Sequence, residues 1–530
     1  MTDLLHDLLE HAAERRPERD ALVYEDRALC YGDLDALVTK VASGLVGLGL
    51  GRQERVAVYL AKRFEAVAAM FGAARAGLAF VPINPLLKPD QVAHILKDCG
   101  VRVLITAHAR VAMLVRALNA CPDLDVVVLV DDAQGDLPEL LTAQALTWEG
   151  MLLDSGEHAV HRVVDMDMAA LLYTSGSTGR PKGVVLSHRN MVAGARSVAE
   201  YLENRPSDRL LAALPFSFDY GFSQLSTAFE RGACVVLIDY LFPQDIINAV
   251  ERERITGLAG VPPLWIQLAQ LEWPVTARDS LRYITNSGGA MPMTTVRRLR
   301  QRLPNTRVFL MYGLTEAFRS TYLPPEQVEI RPGSMGKAIP NAEIMVVRED
   351  GTPCAPGEPG ELVHRGALVA MGYWNDPEKT AARFRPCPGR PRELVLPELA
   401  VWSGDTVMQD EEGYLYFVAR RDEMIKTSGY RVSPTEVEEV LYDTGLAKEA
   451  CAVGVPHPVL GQAIAVVAVA ADEGTEPSKA LFEACKARLP TYMLPSHIEW
   501  RSALPRNPNG KIDRSLLARE LQPRLAEQTA

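Results

Sequence analysis

The chain has 530 residues, of which 48% are hydrophobic and 23% are charged, so it can form more than one domain with a large buried core. Its formal net charge of −11 argues against nucleic acid as the main partner. The eight cysteines are dispersed without a Cys-x-x-Cys pair, which argues against a zinc site or a disulfide framework and favours a cytoplasmic location. Without a signal-peptide core or a run of about twenty apolar residues, neither export nor a membrane span is expected.

The first part of the chain predicts strands that alternate with helices. Two short strands around a turn cover residues 21–31, and Asp33 is the expected N-cap of the helix that follows. This alternation predicts βαβ units and a mostly parallel sheet covered on both faces. Further apolar strands are predicted at residues 55–60, 79–83, 101–105 and 126–130.

Residues 172–183 (Leu-Tyr-Thr-Ser-Gly-Ser-Thr-Gly-Arg-Pro-Lys-Gly) lie between two predicted strands. The glycines allow the backbone to curl and to turn several N–H groups to one side, and the hydroxyls and Lys182 add further donors. The stretch therefore predicts a phosphate cradle. It is not a Walker A loop, because Gly183 stands where that motif has Ser or Thr. A flexible Gly/Ser linker is the alternative, and the strand-like flanks argue against it.

The composition changes in the second half of the chain. The βα pattern continues to about residue 325, and Pro-Gly and Asp-Gly turns then indicate an antiparallel β subdomain. A charged run at 420–423 precedes a helix, a strand pair and another helix, which suffice for a small α+β domain. We predict an α/β fold with a large N-terminal domain of mostly parallel βαβ sheets plus a β subdomain (1–421) and a mobile α+β C-terminal domain (422–530).

Further motifs follow the phosphate cradle in a fixed order: Tyr312 to Glu316, Trp402 to Asp405, Arg420, Lys426 to Arg431, and Pro505 to Lys511. Together they resemble the adenylate-forming superfamily of acyl- and aryl-CoA synthetases, peptide-synthetase adenylation domains and luciferases. The resemblance covers nearly the whole chain, and several motifs in one order are far more specific than any one alone. Residues 214–221 look most similar to bacterial stand-alone acyl-CoA ligases, with the exosortase-associated subgroup as the nearest suggestion.

The resemblance implies that ATP and Mg²⁺ activate a carboxylic acid to an acyl-AMP, and that pyrophosphate leaves. Glu316 would bind Mg²⁺ beside Thr315, since magnesium prefers hard oxygen ligands. The residues implied for the phosphates are Thr174, Ser175, Gly176, Ser177, Thr178 and Lys182. Those implied for the rest of the nucleotide are Gly288, Gly289, Ala290, Tyr312, Gly313, Asp405 and Arg420.

The same resemblance implies two further steps. Lys511, together with Thr174 and Glu316, would carry catalysis by stabilising charge at the reacting phosphate and carboxylate. The C-terminal domain would then turn about Asp422 and present a loop for thioester formation with CoA. The residues implied for this thioester step are Lys426, Gly429, Tyr430 and Arg431.

The identity of the acid and of the acceptor stays open. The implied acid pocket comprises Phe218, Asp219, Ser287, Gly288 and Met311. Asp219 either binds the ammonium group of an amino acid or caps a helix or turn. The acceptor is CoA or the phosphopantetheine of a separate carrier protein. A non-catalytic nucleotide or acyl-AMP sensor and a luciferase-like oxygenase are the other hypotheses, and a homodimer is a further expectation.

Overall fold

A computed structural model describes residues 3–131, 140, 143–153, 156, 158–174, 181–391, 393–420, 423–427, 430–457, 460–472, 474, 476–489, 491–508 and 510–529. No helix within these ranges combines the length and the apolar character that crossing a membrane requires.

Helices are spread along the whole described chain. They are α1 (Asp7–Arg15), α2 (Tyr31–Gly47), α3 (Phe64–Arg75), α4 (Pro89–Asp98), α5 (His108–Leu118), α6 (Trp148–Leu153), α7 (His188–Tyr201), α8 (Asp219–Arg231), α9 (Pro243–Arg252), α10 (Pro262–Leu268), α11 (Val275–Ser280), α12 (Met293–Arg302), α13 (Pro377–Arg383), α14 (Pro434–Asp443), α15 (Ser478–Arg488) and α16 (Arg514–Thr529). Short 3₁₀ turns lie at Thr315–Ala317, Pro325–Gln327 and Thr491–Met493.

Strands are short in the first half of the chain and longer in the second. They are β1 (Asp20–Tyr24), β2 (Arg27–Cys30), β3 (Arg55–Tyr59), β4 (Ala79–Pro82), β5 (Val101–Thr106), β6 (Val126–Leu129), β7 (Gln144–Thr147), β8 (Met168–Thr174), β9 (Lys182–Ser187), β10 (Arg209–Ala212), β11 (Cys234–Leu237), β12 (Gly257–Gly260), β13 (Tyr283–Asn286), β14 (Arg307–Tyr312), β15 (Thr321–Leu323), β16 (Ser334–Ala338), β17 (Ala342–Val347), β18 (Gly360–Gly366), β19 (Gly372–Tyr373), β20 (Phe384–Pro386), β21 (Leu399–Gln409), β22 (Leu415–Arg420), β23 (Ile425–Thr427), β24 (Tyr430–Val432), β25 (Ala447–His457), β26 (Gly461–Ala470) and β27 (His497–Trp500).

Two large sheets form the N-terminal part. One runs in the order β19-β9-β8-β4-β3-β5-β6-β7 and is parallel from β8 to β7. The other contains the parallel strands β13, β12, β10, β11 and β1 and continues through β14 and β15 into antiparallel strands. The predicted α/β class is confirmed, because the apolar strands are buried between helices as parallel sheets require.

The β subdomain between residues 325 and 420 is antiparallel, as the turn-rich composition predicts. Strands β16, β22, β21, β18 and β17 pair antiparallel in that order. The strands from Ile425 onward form a separate five-stranded sheet with its own apolar core. Arg421 and the predicted hinge Asp422 lie outside the described residues, so the division at 421/422 stays a prediction.

One predicted helix start is wrong. Helix α2 begins at Tyr31, two residues before Asp33, and Cys30 is its N-cap. The Cys30 Sγ accepts the hydrogen bond from the Asp33 backbone N–H at 3.4 Å. A thiol therefore takes the role that the carboxylate was expected to have, because the helix is capped three residues earlier.

Candidate active site

The strands β10, β12, β13 and β14 run parallel and end at one edge of their sheet. The loops after β10, β13 and β14 carry Phe218, residues 287–290 and residues 313–316 respectively. Because the carboxyl ends of parallel strands lie side by side, these loops converge on one region of the surface. The antiparallel strands β8 and β9 pair Thr174 with Lys182, the two described residues that flank most of the predicted phosphate cradle.

Lys182 and Glu316 form the centre of one end of this region, which we call the nucleotide end. The Lys182 Nζ lies 3.1 Å from the Glu316 Oε1. The hydroxyl of Tyr373 donates to that same oxygen at 2.5 Å and accepts from the Lys182 Nζ at 2.8 Å. These three side chains come from β9, the 3₁₀ turn after β14, and β19, and together they hold the carboxylate in one orientation.

The Glu316 carboxylate is buried and ionised. Burial alone would raise its pKa, but the cations of Lys182 and Arg383 and the Tyr373 hydroxyl lower the pKa to about 2. The Arg383 Nε lies 4.0 Å from the Glu316 Oε1, and its Nη1 donates to the Trp402 carbonyl oxygen at 3.0 Å. The charges at this end therefore compensate one another before any ligand binds.

Asp405 lies on β21 beside the same site. The Tyr312 hydroxyl donates to its Oδ2 at 2.5 Å, and the main chain of Asp405 is paired in register with Arg420 on β22. Gly404, just before it, has φ +70°, and a Cβ there would lie 2.7 Å from the Arg383 Nη1. A larger residue would be strained in this left-handed backbone and would displace the Arg383 guanidinium group, so Gly404 helps Arg383 to pack beside the aspartate.

Lys511 reaches the site from the C-terminal part of the chain. Its Nζ lies 5.7 Å from the centre of the Phe218 ring. Gly288 has φ +85°, and a Cβ there would be 3.0 Å from the Lys511 Cε, so a larger residue would push the lysine away. The same loop is anchored where the Asn84 side-chain amide donates to the Pro508 carbonyl oxygen at 2.7 Å.

Asp219 marks another part of the region, which we call the acid end. It is the first residue of α8 and not its cap: Phe218 is the N-cap, without a side-chain cap hydrogen bond, so the capping alternative is wrong. Its carboxylate instead accepts from the Thr315 hydroxyl at 3.1 Å. Burial raises the pKa of Asp219 above its usual range, against the opposing effects of Arg319 and Lys511.

The structure brings most of the predicted residues together. Ser287 and Met311 are buried in the acid end with Phe218 and Asp219. The cradle residues Ser175, Gly176, Ser177 and Thr178 lie outside the described residues, as does Gly429. Lys426 belongs to β23, and Tyr430 and Arg431 belong to β24.

Sequence reasoning missed three residues: Tyr373, Arg383 and Arg319. Tyr373 and Arg383 follow the Glu316 motif by more than fifty positions, and only the fold brings them to its carboxylate. Arg319 had a local signal, since it is the one charged residue in the small and apolar stretch that follows Glu316. A cation in such a stretch indicates either a buried ion pair or a ligand contact.

Comparison with known proteins relates this chain to AMP-binding enzymes. The sequence profile of the AMP-binding enzyme family matches residues 9–374, and that of the AMP-binding enzyme C-terminal domain matches residues 436–511. An indoleacetate–CoA ligase of Aromatoleum aromaticum is 30% identical over 97% of this chain and 98% of its own length. An L-proline–[L-prolyl-carrier protein] ligase of Pseudomonas fluorescens is 30% identical over 98% of this chain and 99% of its own length.

The crystal structure of the anthranilate CoA ligase AuaEII in complex with anthranoyl-AMP is similar throughout, with a TM-score of 0.87, 25% identity, and coverage of 99% of this chain and 98% of that one. The chain is also 29% identical to the linear gramicidin synthase subunits D and C of Brevibacillus parabrevis over 97% and 96% of its residues. It spans only 10% and 6% of the length of those two proteins.

Proposed function

The chain belongs to the AMP-binding enzyme family, and we propose that it is an AMP-forming acid–thiol ligase. It uses ATP to convert a carboxylic acid to an acyl-AMP, releases pyrophosphate, and transfers the acyl group to the thiol of CoA. The observation that carries this proposal is the convergence of Lys511 with Phe218 and Gly288, where an acid and a nucleotide would meet. The exosortase-associated subgroup, a homodimer and a cytoplasmic location stay predictions from the sequence.

The nucleotide end binds and orients ATP. Lys182 and the cradle at 174–178 hold the phosphates that leave as pyrophosphate. Asp405 accepts hydrogen bonds from the ribose hydroxyls, while Tyr312 and residues 288–290 flank the base. Holding the reactants in position before the reaction is the main source of rate acceleration in phosphoryl-transfer chemistry.

The Glu316 carboxylate fits a magnesium ion. Its pKa of about 2 keeps it ionised, and one buried carboxylate together with phosphate oxygens is the kind of donor set that Mg²⁺ takes. The ion would neutralise charge on the leaving pyrophosphate. Among the described residues, no cluster of three or more His, Cys, Asp or Glu side chains offers another metal site.

Lys511 acts where the new bond forms. Its ammonium group stabilises the negative charge that develops as the carboxylate oxygen attacks the α-phosphate and pyrophosphate departs. In the second step the thiol attacks the acyl carbonyl and AMP leaves. Residues 426–431 serve this step after the C-terminal domain turns about Asp422, a movement that gates the chemistry.

ATP–pyrophosphate exchange tests the proposal. The protein is assayed with fatty, aryl, amino and dicarboxylic acids, and thioesters are then sought in the presence of CoA. We expect exchange with one class of acid, and AMP and acyl-CoA in equal amounts with that same acid. Absence of exchange with every acid would overturn the proposal in favour of a nucleotide or acyl-AMP sensor.

Amino-acid activation is the second candidate, favoured by the buried carboxylate of Asp219 at the acid end. A substrate ammonium group would pair with this carboxylate, and a separate phosphopantetheine carrier protein would be the acceptor. An Asp219→Asn variant is expected to lose about a hundredfold in exchange with amino acids, because it leaves the ammonium group unpaired. Exchange with the corresponding acid that lacks the amino group is the control. Unchanged kinetics with an amino-acid substrate would exclude this candidate.

A further inference from the structure

Arg319 is a buried arginine whose guanidinium group forms no salt bridge with the described residues. Only 1% of its surface is exposed. Its Nη1 donates to the Ser287 Oγ at 3.1 Å, and its Cζ lies 4.7 Å from the centre of the Tyr220 ring. Among the described residues, no carboxylate oxygen lies within 4.0 Å of it, and the Nε and Nη2 have no hydrogen-bond partner. A buried charge in this state is costly unless something else pairs with it.

The two unpartnered nitrogens lie on the same edge of the guanidinium group. The N–H bonds of Nε and Nη2 point in one direction and match the two oxygens of a single carboxylate. The Nη1 on the other side is engaged by Ser287 and the face is covered by Tyr220. The remaining edge is therefore shaped for one bidentate anion.

Arg319 lines a small cavity between α7, α8 and the strands β10, β12, β13 and β14, whose wall is mainly apolar apart from a few polar side chains. The cavity measures about 30 Å³, which corresponds to one or two water molecules or to a group of carboxylate size. Two further polar atoms at its wall, the Gln224 Oε1 and the Thr227 Oγ1, are buried without a partner among the described residues. Three unsatisfied polar side chains around one small space indicate a polar guest.

The cavity adjoins the acid end. Met311 lines both, and Ser287 joins Arg319 to the loop that carries Gly288. A short acid whose reacting carboxylate lies at Lys511 would direct its other end toward Arg319. A long alkyl tail is too large for this small cavity and would leave the guanidinium group unpaired, so its binding is strongly disfavoured.

We propose that the substrate is a short dicarboxylic acid and that Arg319 binds its second, non-reacting carboxylate. The inference rests on the proposed function, since it names the acid that the adenylation site takes. Arg319 then determines specificity, while Lys511 acts on the reacting carboxylate.

Matched acids test this inference. Succinate and glutarate are compared with butyrate and valerate, which have the same chain lengths, and with octanoate, all in ATP–pyrophosphate exchange. The wild-type protein is expected to favour a diacid over its monoacid partner by at least about a hundredfold. Arg319→Met is expected to lower diacid exchange by about a hundredfold without lowering monoacid exchange. Arg300→Met, at an arginine that pairs with Glu329 on the exposed face of α12, is the matched control and keeps the wild-type preference.

A binding measurement separates failure of the inference from failure of the proposed function. The melting temperatures of the wild-type protein and of Arg319→Met are measured with and without each acid, in the absence of ATP. A shift with succinate or glutarate in the wild-type protein alone supports the inference, even if no acid gives exchange. Equal use of monoacids and diacids, or the absence of both exchange and a diacid-dependent shift, overturns it.

The stability of the ligand-free variant excludes a purely structural role. If the role of Arg319 is to bind an anion, the ligand-free Arg319→Met variant should melt at the same temperature as the wild-type protein or at a higher one. A lower melting temperature together with an equal loss of exchange for all acids would overturn the inference.

Discussion

The nucleotide end and the acid end of the site differ in how their buried charges are compensated. At the nucleotide end Glu316 contacts Lys182 and Tyr373, and Arg383 lies 4.0 Å away. At the acid end Arg319 has an unpartnered edge, and burial raises the pKa of Asp219. One end is assembled before ligands arrive, and the other leaves polar groups for the ligand to satisfy.

This difference fits the ligand that we propose for each end. ATP is the same for every enzyme of this type, so its site can be preorganised and carried by short motifs. The acid differs between enzymes, and the groups that select it are completed only when the acid binds. Unsatisfied polar groups then give specificity, because a wrong acid leaves them unpaired.

Lys511 lies beside Phe218 and Gly288, where we propose that acid and nucleotide meet, and its loss is expected to have the largest effect. Replacing it by alanine removes a preorganised cation from the transition state and should lower the rate of acyl-AMP formation by about 10²–10³. The measurement is kcat for ATP–pyrophosphate exchange with the preferred acid. Lys486→Ala, at an exposed lysine on α15 of the same part of the chain, is the control and should leave kcat unchanged.

The second half-reaction sharpens this prediction. Acyl transfer to CoA from a preformed acyl-AMP should survive Lys511→Ala, because the proposed charge stabilisation belongs to the first step. If both half-reactions fell equally, Lys511 would be acting on the structure of the whole site, and its proposed role where acid and nucleotide meet would be wrong.

Tyr373→Phe tests whether the nucleotide end is preorganised. The variant loses the hydrogen bonds to Glu316 and Lys182 while the ring remains. Each hydrogen bond to a charged group contributes about 1.5–3 kcal/mol, so we expect kcat/KM for ATP to fall about tenfold or more. The preference among acids should not change, because the acid end is untouched.

Tyr240→Phe, at a tyrosine packed against the core and not assigned to the site, is the matched control. A change in acid preference with Tyr373→Phe would contradict the separation of the two ends. An unchanged kcat/KM for ATP would mean that Lys182 alone positions the Glu316 carboxylate.

The features of the molecule also differ in how well the sequence predicts them. The fold could be predicted from the sequence because buried parallel strands such as 126–129 are continuous apolar runs bounded by polar turns. Thr315 and Glu316 could be predicted as site residues because both lie in one short motif. Tyr373 could not, since only the pairing of β19 with β9 brings it to Lys182.

The sequence marked Arg319 as an unusual cation in an apolar stretch, but it did not show that one edge of the guanidinium group stays unpartnered. This open edge depends on Ser287 taking one side of the guanidinium group and Tyr220 its face, which are tertiary contacts. The start of α2 was also predicted wrongly because it depends on structure outside the helix itself. The local pattern favoured Asp33, and the hairpin β1–β2 delivers the chain in helical geometry at Tyr31.

The smallest effect that we expect is a change in how the stability of the protein depends on pH. His364 is fully buried behind the acid end, where its Nδ1 lies 2.9 Å from the Oγ of Ser320, the neighbour of Arg319. Burial lowers the pKa of His364 from 6.5 to about 3. Because the unfolded chain takes up the proton first, stability is fully present above pH 6.5 and is lost as the pH falls toward 3. The lowered pKa of Glu316 acts in a different window, between its ordinary value of 4.5 and about 2.

His364→Gln should therefore flatten the dependence of the unfolding free energy on pH between about 6.5 and 5, by about 1.4 kcal/mol per pH unit. The slope does not vanish, since burial also lowers the pKa of His6 to about 4 and that of His188 to about 3. Glu316→Gln is the control, because its carboxylate is ionised in both states over this range and the slope should not change. Denaturant unfolding at two or three pH values measures both variants. Equal slopes for His364→Gln and the wild-type protein would mean that His364 protonates without unfolding, and the acid end would then be less tightly closed than its burial indicates.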